Sequence, residues 1–129
     1  MSHREALDAF GSQFVATARD GTIDSLFRTL HGRMRYPGAE AIAKKYESFD
    51  DEQQEFVRQL LIAAVDETTH NSLWALEQLD WVSLTATNEE TGEVTDVKLE
   101  SDGLTSMLEG EDGWRRRYGR FPESALSRE

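Results

Sequence analysis

A long helical pattern in the middle of the chain constrains the fold more than any other feature of the sequence. Between residues 51 and 79, Phe56 and Trp74 project in nearly the same direction at about 100° per residue, and other apolar side chains cover the remaining sides. A helix that is apolar nearly all round is normally buried. We therefore expect 51–79 to be the central element, with Leu60 and Leu73 in the core.

The start and end signals of this helix and its neighbours can also be read from the sequence. Asp50 is placed to cap the long helix, and Gln53 follows at the capping-box position. A first helix is expected over residues 4–19, with Gly21 ending it. Further short helices are expected around Ile23–Leu30, over Ala39–Tyr46, around Leu104–Leu108 and along the aromatic stripe Trp114–Phe121.

A change of period after the long helix predicts a β-hairpin. Residues 81–87 alternate apolar and polar side chains, residues 94–99 do so less cleanly, and the loop between them contains Gly92. The sequence therefore predicts an α+β, mostly helical fold. About five helices would surround the central helix 51–79, with one antiparallel hairpin, 81–87/94–99.

Length and cysteine content limit the domain organisation and the chemistry. A chain of 129 residues suits a single core, so we expect one globular domain over residues 1–122 and a loose C-terminal tail at 123–129. The sequence has no cysteine. This excludes disulfides, a thiol nucleophile and cysteine-ligated metal sites.

Neither a membrane span nor a secretory signal is expected. The longest apolar run, Leu60–Val65, has six residues, which is far too short to cross a bilayer. The N-terminal residues Met1–Glu5 are polar, and no apolar signal stretch follows them. We therefore expect a cytoplasmic protein without membrane attachment.

The charge of the chain is strongly uneven. The formal net charge is −11, but residues 47–112 carry −16, residues 1–46 carry +2 and residues 113–129 carry +3. An acidic surface of this kind argues against nucleic acid as a ligand, because affinity there depends on neutralising phosphates. The acidic middle is interpreted either as a solubilising surface or as a binding surface for a basic partner.

Polar residues on the long helix form a candidate pocket. Glu67, His70 and Asn71 share a sector with Trp74, and would have to pair with one another or line a cavity if that side is buried. The alternative is a structural histidine bonded to Glu67. Only one Glu-x-x-His pair is present, whereas carboxylate-bridged di-metal bundles use two, so we expect no metal and no cofactor.

The C-terminal region contains an unusual arginine–aromatic segment. Its residues are Trp114, Arg115, Arg116, Arg117, Tyr118, Arg120 and Phe121. One interpretation is an exposed interaction patch, since aromatic residues and arginine are enriched at interface hot spots. The other docks the aromatic side chains on the core while the arginines pair with the acidic middle.

These features support two functional hypotheses of different classes. The first is a small acidic, non-enzymatic protein-interaction module, such as an inhibitor, an accessory protein or an immunity/antitoxin-like protein, with a basic protein partner. The second is a small ligand-binding protein or enzyme that uses Glu67, His70 and Asn71. The sequence lacks the nucleophile elbow, the Walker loop and the dinucleotide fingerprint, which favours the first hypothesis.

The hairpin bears on the choice of partner. Its loop, residues 88–93, holds three glutamates and no basic residue, so a winged-helix type of DNA binding is rejected. A two-stranded unit leaves unpaired backbone groups at its edges. The sequence therefore suggests a homodimer in which the outer strand, 94–99, pairs with a second copy of the chain.

Overall fold

The computed structural model of the chain describes residues 2–128. It is mostly helical, with one long helix and a two-stranded antiparallel hairpin, so the predicted fold class is confirmed. The helices are α1 (His3–Phe14), α2 (Gly21–Leu30), α3 (Ala39–Glu47), α4 (Asp51–Gln78), α5 (Val97–Glu100), α6 (Leu104–Leu108) and α7 (Trp114–Tyr118), and the strands are β1 (Thr85–Thr87) and β2 (Val94–Asp96). A π-helical segment, Val15–Asp20, joins α1 to α2, and a 3₁₀ turn, Ala125–Arg128, follows near the end.

The long helix α4 begins as the sequence predicts. The side chain of Asp50 accepts a hydrogen bond from the backbone N–H of Gln53, and the Gln53 side chain accepts one from the backbone N–H of Asp50. This reciprocal capping box satisfies two donors at the helix start. Although α4 has 28 residues, no helix within residues 2–128 is both long and apolar enough to cross a membrane.

The first two helices form one continuous helical run, so the prediction that Gly21 ends the first helix is wrong. Gly21 keeps right-handed helical angles, φ −60° and ψ −39°. Glycine ends a helix when it adopts a left-handed conformation, and here it does not. Its N–H bonds instead to the carbonyl of Ala16, five residues earlier, within the π-helical segment.

The π-helical segment keeps one face of this run directed at the core. Leu7, Gly11, Val15, Arg19 and Ile23 are all buried and lie four residues apart. In an α-helix each such step rotates the side chain by about 40°, so five positions would drift around the helix. The wider π turn reverses part of that rotation. It thereby holds Arg19 on the buried face between two apolar side chains.

The hairpin is shorter than the sequence predicts. β1 pairs with β2 over three residues each, so the predicted strand 81–87 is wrong over residues 81–84, and the chain leaves β2 at Asp96. The expected strand 94–99 is therefore wrong beyond Asp96, because the Asp96 carboxylate accepts a hydrogen bond from the N–H of Leu99 and caps the single turn of α5. Val97, at the start of that turn, is buried.

The core consists of two apolar clusters. The larger one contains Leu7, Val15, Leu73, Val97, Leu104, Leu108 and Trp114. The smaller one contains Ile23, Ile62 and Val65. Along the N-terminal helical run, Arg19 falls between members of the two clusters, and Asp66 does the same on α4. The two charged residues thus lie between the two apolar clusters.

The first residues of the C-terminal tail are bonded to α4. Ser124 is fully buried and its hydroxyl donates to the backbone carbonyl of Gln59 at 2.8 Å. The backbone N–H of Ala125 donates to the Gln59 side chain at 2.7 Å. Two residues of the predicted loose tail, 123–129, are thus bonded to α4, the looseness of the rest stays a prediction, and Glu129 lies outside the described residues. The single domain over 1–122 stays a prediction.

Two glycine-to-alanine changes in the N-terminal helical run are expected to have opposite effects. A methyl group at Gly11 would overlap the indole ring of Trp114, which is fully buried and has no room to move. We expect Gly11→Ala to lower the free energy of unfolding by about 1–3 kcal/mol. Gly21→Ala is the matched control, since Gly21 is exposed, helical and free of close contacts. It should raise stability by about 0.5–1 kcal/mol.

Urea unfolding followed by circular dichroism measures both changes. Equal effects of the two substitutions, in either direction, would contradict the close packing of α1 against Trp114.

Candidate functional site

The residues of the predicted pocket lie on an open face of α4. Glu67, Asn71 and Trp74 are exposed, and His70 is partly buried. The sequence left open whether this side is buried, and the structure places it at the surface. The four residues therefore share a helix face, as their spacing predicts, but they do not line an enclosed pocket.

The same face presents large apolar side chains to solvent. Phe56, Leu60 and Trp74 are 54%, 49% and 51% exposed. Together with Glu67 and Asn71 they project within about 60° of one another around the helix. Trp74 follows Phe56 by eighteen positions, which corresponds to about 27 Å along the axis. We call these five residues the α4 row.

The exposure of the α4 row corrects the predicted burial of the central helix. Leu73 is fully buried, as expected, but Leu60 is not in the core. α4 packs on its opposite side, through Ile62, Val65 and Leu73, against α2, α6 and the π-helical segment. Its apolar residues thus serve two surfaces, one inside the fold and one outside.

A cavity opens at the N-terminal end of the α4 row. It has a volume of about 650 Å³, and Phe49, Phe56 and Val57 form its apolar part. Asp50 and Glu52 lie in the same lining. Apolar side chains surrounded by carboxylates suit a basic side chain with a long aliphatic stem.

A second, larger cavity lies away from the α4 row, between α2, the following loop and α3. Its volume is about 780 Å³, and its lining includes His31, Tyr36 and Tyr46. Glu40 and Lys44, also in the lining, form an ion pair at 3.1 Å. Charges of both signs are present in the lining, so its electrostatics select no particular ligand charge.

A buried ionic network connects the N-terminal helical run, α4 and the C-terminal chain. Arg19 is fully buried, and its Nε donates to Asp66 Oδ1 at 2.5 Å. Its Nη1 donates to Asp20 Oδ1 at 2.9 Å and to the carbonyl of Phe121 at 2.7 Å. Its Nη2 donates to the carbonyl of Pro122 at 3.3 Å. Buried charges are tolerated when they are paired and hydrogen-bonded in this way.

A second arginine extends the network towards the surface. Arg115 Nε lies 3.2 Å from Asp66 Oδ1, and Arg115 Nη1 donates to Glu109 Oε2 at 2.5 Å. The other oxygen of Glu109 lies 3.0 Å from His70 Nδ1. The hydrogen-bond partner of His70 is therefore Glu109, and the expected bond to Glu67 is wrong. Through this contact, Nδ1 of His70 helps to hold α4 against the C-terminal region.

The arginine–aromatic segment packs its aromatic side chains inward. Trp114 is fully buried and meets Phe10 edge-on at 5.7 Å between ring centroids. Phe121 meets Phe27 in the same way at 5.6 Å, and Tyr118 is partly buried against the larger cluster. The docked alternative thus describes the aromatic residues, and they offer no exposed aromatic patch.

The arginines of this segment mostly pair with carboxylates outside the acidic middle of the chain. Arg115 belongs to the buried network, Arg116 pairs with Glu123, Arg117 with Asp8 and Arg120 with Asp24. The prediction that these arginines pair with residues 47–112 is therefore wrong except for Arg115. Glu67, the carboxylate of the α4 row, belongs to the acidic middle and faces solvent.

One of these pairs changes the titration of a carboxylate. Burial raises the pKa of Asp8, but the hydrogen bond and charge of Arg117, with the Trp114 indole N–H and Arg4, outweigh it and hold the pKa below its ordinary value. A lowered pKa in the folded state contributes stability above the unfolded-state pKa, and that contribution is lost as the pH falls through the folded-state pKa. The pair therefore helps to join α1 to α7 at neutral pH.

The sequence did not point to several members of the buried network. Arg19 and Asp20 look like ordinary polar residues at a helix end, and Glu109 looks like part of an acidic loop. A usable signal was Asp66, which follows Val65 on the buried side of a strongly apolar helix. Within the described range 2–128 no three histidine, aspartate or glutamate side chains are placed to share a metal ion.

Comparisons with models of known protein families, with curated protein sequences and with solved structures find no match to this chain. Its function is therefore inferred from its own residues and geometry.

Proposed function

We propose that the protein is a small acidic interaction module that binds a basic protein partner through the α4 row. The observation that carries this proposal is the exposure of Phe56, Leu60 and Trp74 in one row about 27 Å long on a single helix. An inhibitor, an accessory protein or an immunity/antitoxin-like protein would act in this way, by occupying a surface of its partner.

The apolar part of the α4 row supports a protein partner. Scattered apolar residues are ordinary on a surface, but aligned large ones, rimmed by polar groups, are typical of interaction sites. Aromatic side chains such as Trp74 and Phe56 supply much of the binding energy at interfaces. A helix face of this length matches a groove or a second helix on a partner.

The charge around the α4 row supports a basic partner. Residues 47–112 carry a net charge of −16, and Glu67 lies within the row. The arginines that could have neutralised this charge are mostly engaged elsewhere. Complementary charge accelerates association and selects among partners. The same acidity disfavours a nucleic acid as the partner.

Loss of the apolar side chains is expected to remove partner binding. A Leu60→Ser/Trp74→Ser double variant should bind the partner with an affinity lower than that of the wild type by about tenfold or more. The reason is that both side chains would be hot-spot contacts. The measurement is affinity capture from native lysate at low and high salt, with quantitative mass spectrometry of the retained basic proteins. The fold should be unaffected, since both residues are about half exposed.

Ile42→Ser provides the matched control for this experiment. Ile42 is 43% exposed, but it lies on α3 rather than on α4. A basic protein that is retained by the wild type and by the Ile42 variant, and lost with the double variant, supports the proposal. Equal retention by all three proteins, or retention that high salt leaves unchanged, contradicts it.

The alternative of a ligand-binding protein or enzyme using Glu67, His70 and Asn71 has less support. Glu67 and Asn71 lie on an open face, and His70 is already engaged by Glu109. Cytoplasmic location and a homodimer, both suggested by the sequence, stay predictions. The second of these is tested below together with the hairpin.

A further inference from the structure

The register of the hairpin leaves backbone groups of β1 directed away from β2. The hydrogen-bonded pairs are Leu84–Val97, Ala86–Thr95 and Asn88–Glu93, as the 2.8 Å bonds at both ends of the ladder fix. Bonded and non-bonded pairs alternate in an antiparallel ladder. Thr85 and Thr87 therefore belong to non-bonded pairs, and their N–H and C=O groups point to the outer edge of β1.

This edge is open in the described part of the chain. Thr85 and Thr87 are exposed, and within residues 2–128 their backbone groups have no hydrogen-bond partner on the outer side. The two residues lie about 7 Å apart, which is the repeat at which an added strand offers its own donors and acceptors. Unpaired edges of this kind are templates for another strand.

Trp81 lies in the turn that leads from α4 into β1, where the N–H of Val82 donates to the carbonyl of Leu79 at 2.9 Å. It precedes the strand by four residues, and its side chain faces solvent. It is 83% exposed, more than the other large apolar side chains of the described chain. An exposed indole of this kind binds the side chain of lysine or arginine through a cation–π contact and through its aliphatic stem.

The charge of the hairpin selects the occupant of this edge. Residues 80–96 contain five carboxylates and no lysine or arginine. Asp80, Glu89, Glu90 and Glu93 are all exposed. A second copy of the chain would bring an equally acidic hairpin against this one, and like charges at such short distance oppose association. A basic strand would neutralise it.

We propose that β1 binds an extended basic segment of a partner protein, which adds to the hairpin as a third strand. Backbone bonds to Thr85 and Thr87 would hold the segment, and its basic side chains would contact Trp81 and the hairpin carboxylates. This inference rests on the proposed function and deepens it, because it adds a second surface and a backbone conformation for the partner.

The probe is a short peptide of alternating lysine and valine with blocked ends, added to the intact protein. Amide hydrogen exchange by NMR is expected to show saturable protection of Thr85 and Thr87. A peptide of alternating glutamate and valine, with the same length and spacing, should give none. Replacing Glu89, Glu90 and Glu93 by glutamine should weaken binding of the lysine peptide about tenfold, since each exposed ion pair contributes only a little.

A substitution at the edge separates backbone pairing from charge. Thr85→Pro removes the outward N–H and should abolish protection at Thr87, whereas Thr85→Val keeps that donor and should preserve it. If the proline variant does not fold, the glutamine variant and the glutamate peptide still decide the matter, because neither alters the strand backbone.

Several outcomes would overturn the inference. These are the absence of protection at Thr85 and Thr87, protection confined to another surface, and equal binding of the two peptides. Sedimentation equilibrium that shows a dimer, with both amides protected in the absence of peptide, would assign the edge to a second copy. The peptide experiment does not involve the α4 row, so its failure would leave the capture experiment, and with it the proposed function, to be judged separately.

Discussion

Replacing Leu73 by aspartate is expected to abolish cooperative folding, whereas the same change at Leu60 should leave the fold intact. Leu73 is fully buried in the larger apolar cluster. A carboxylate there would lose its hydration without gaining a partner, and the expected loss of about 5 kcal/mol or more matches the whole stability of many small domains. At Leu60, which is half exposed, the carboxylate remains hydrated and the loss should stay within about 1 kcal/mol.

Thermal melting of the two variants gives the measurement. The Leu73 variant should show no cooperative transition, and the Leu60 variant should melt within a few degrees of the wild type. Equal destabilisation would mean that both faces of α4 are buried. That result would contradict the exposure of the α4 row, which is the main support for the proposed function.

The contrast between Leu60 and Leu73 also shows what the sequence could predict. The capping box at Asp50 and Gln53 is a local interaction, so the start of α4 could be read directly from the chain. The apolar positions around the helix were identified as well. Which of them face the core depends on where α2, α6 and the π-helical segment pack, and no local pattern records that packing. The sequence analysis therefore treated α4 as buried on all sides, although one of its apolar faces is exposed.

Competing local signals explain the error in the hairpin. Val97 and Leu99 continue the alternation of the strand, and both lie where a longer β2 would place them on one face. Asp96 is also a good N-cap, and its carboxylate binds the N–H of Leu99. In the structure the cap prevails, because Val97 then enters the core as part of α5. A residue can satisfy a strand pattern and still belong to a helical turn.

The candidate site was predictable in part for a related reason. The spacing of Glu67, Asn71 and Trp74 places them on one helix face whatever surrounds them, and their role as a binding site stays a prediction. Arg19 and Asp66 are 47 residues apart, and only the tertiary fold brings them together. The π-helical segment that orients Arg19 lacks a sequence signature of its own. The sequence therefore shows both charged residues of a long-range ion pair, but it does not predict that they meet.

Removal of the Asp66 carboxylate is expected to be the most destabilising change that leaves the apolar core untouched. Asp66 Oδ1 lies 2.5 Å from Arg19 Nε and 3.2 Å from Arg115 Nε. In Asp66→Ala both guanidinium groups would stay buried with one charge partner fewer. Breaking a buried pair in this way lowers the free energy of unfolding by about 3–5 kcal/mol. Asp20 and Glu109 remain as partners, so the loss should not exceed that range.

A matched control lies next to it in the sequence. Glu67 carries the same type of side chain on the exposed face, and Glu67→Ala should change stability by no more than about 0.5 kcal/mol. Urea unfolding of both variants gives the comparison. The difference between them measures what burial and pairing add to a carboxylate on this helix.

A double-mutant cycle tests whether the effect belongs to the network. Arg19→Met alone leaves Asp66 short of a partner, while Arg19→Met with Asp66→Ala removes both charges of the pair. The two single changes should therefore not be additive, with a coupling energy of about 1–3 kcal/mol. Additive losses, or an Asp66→Ala variant as stable as Glu67→Ala, would mean that the pair does not hold the helices together. Non-additivity would establish that Arg19, placed inward by the π-helical segment, and Asp66 act as one unit between the two apolar clusters.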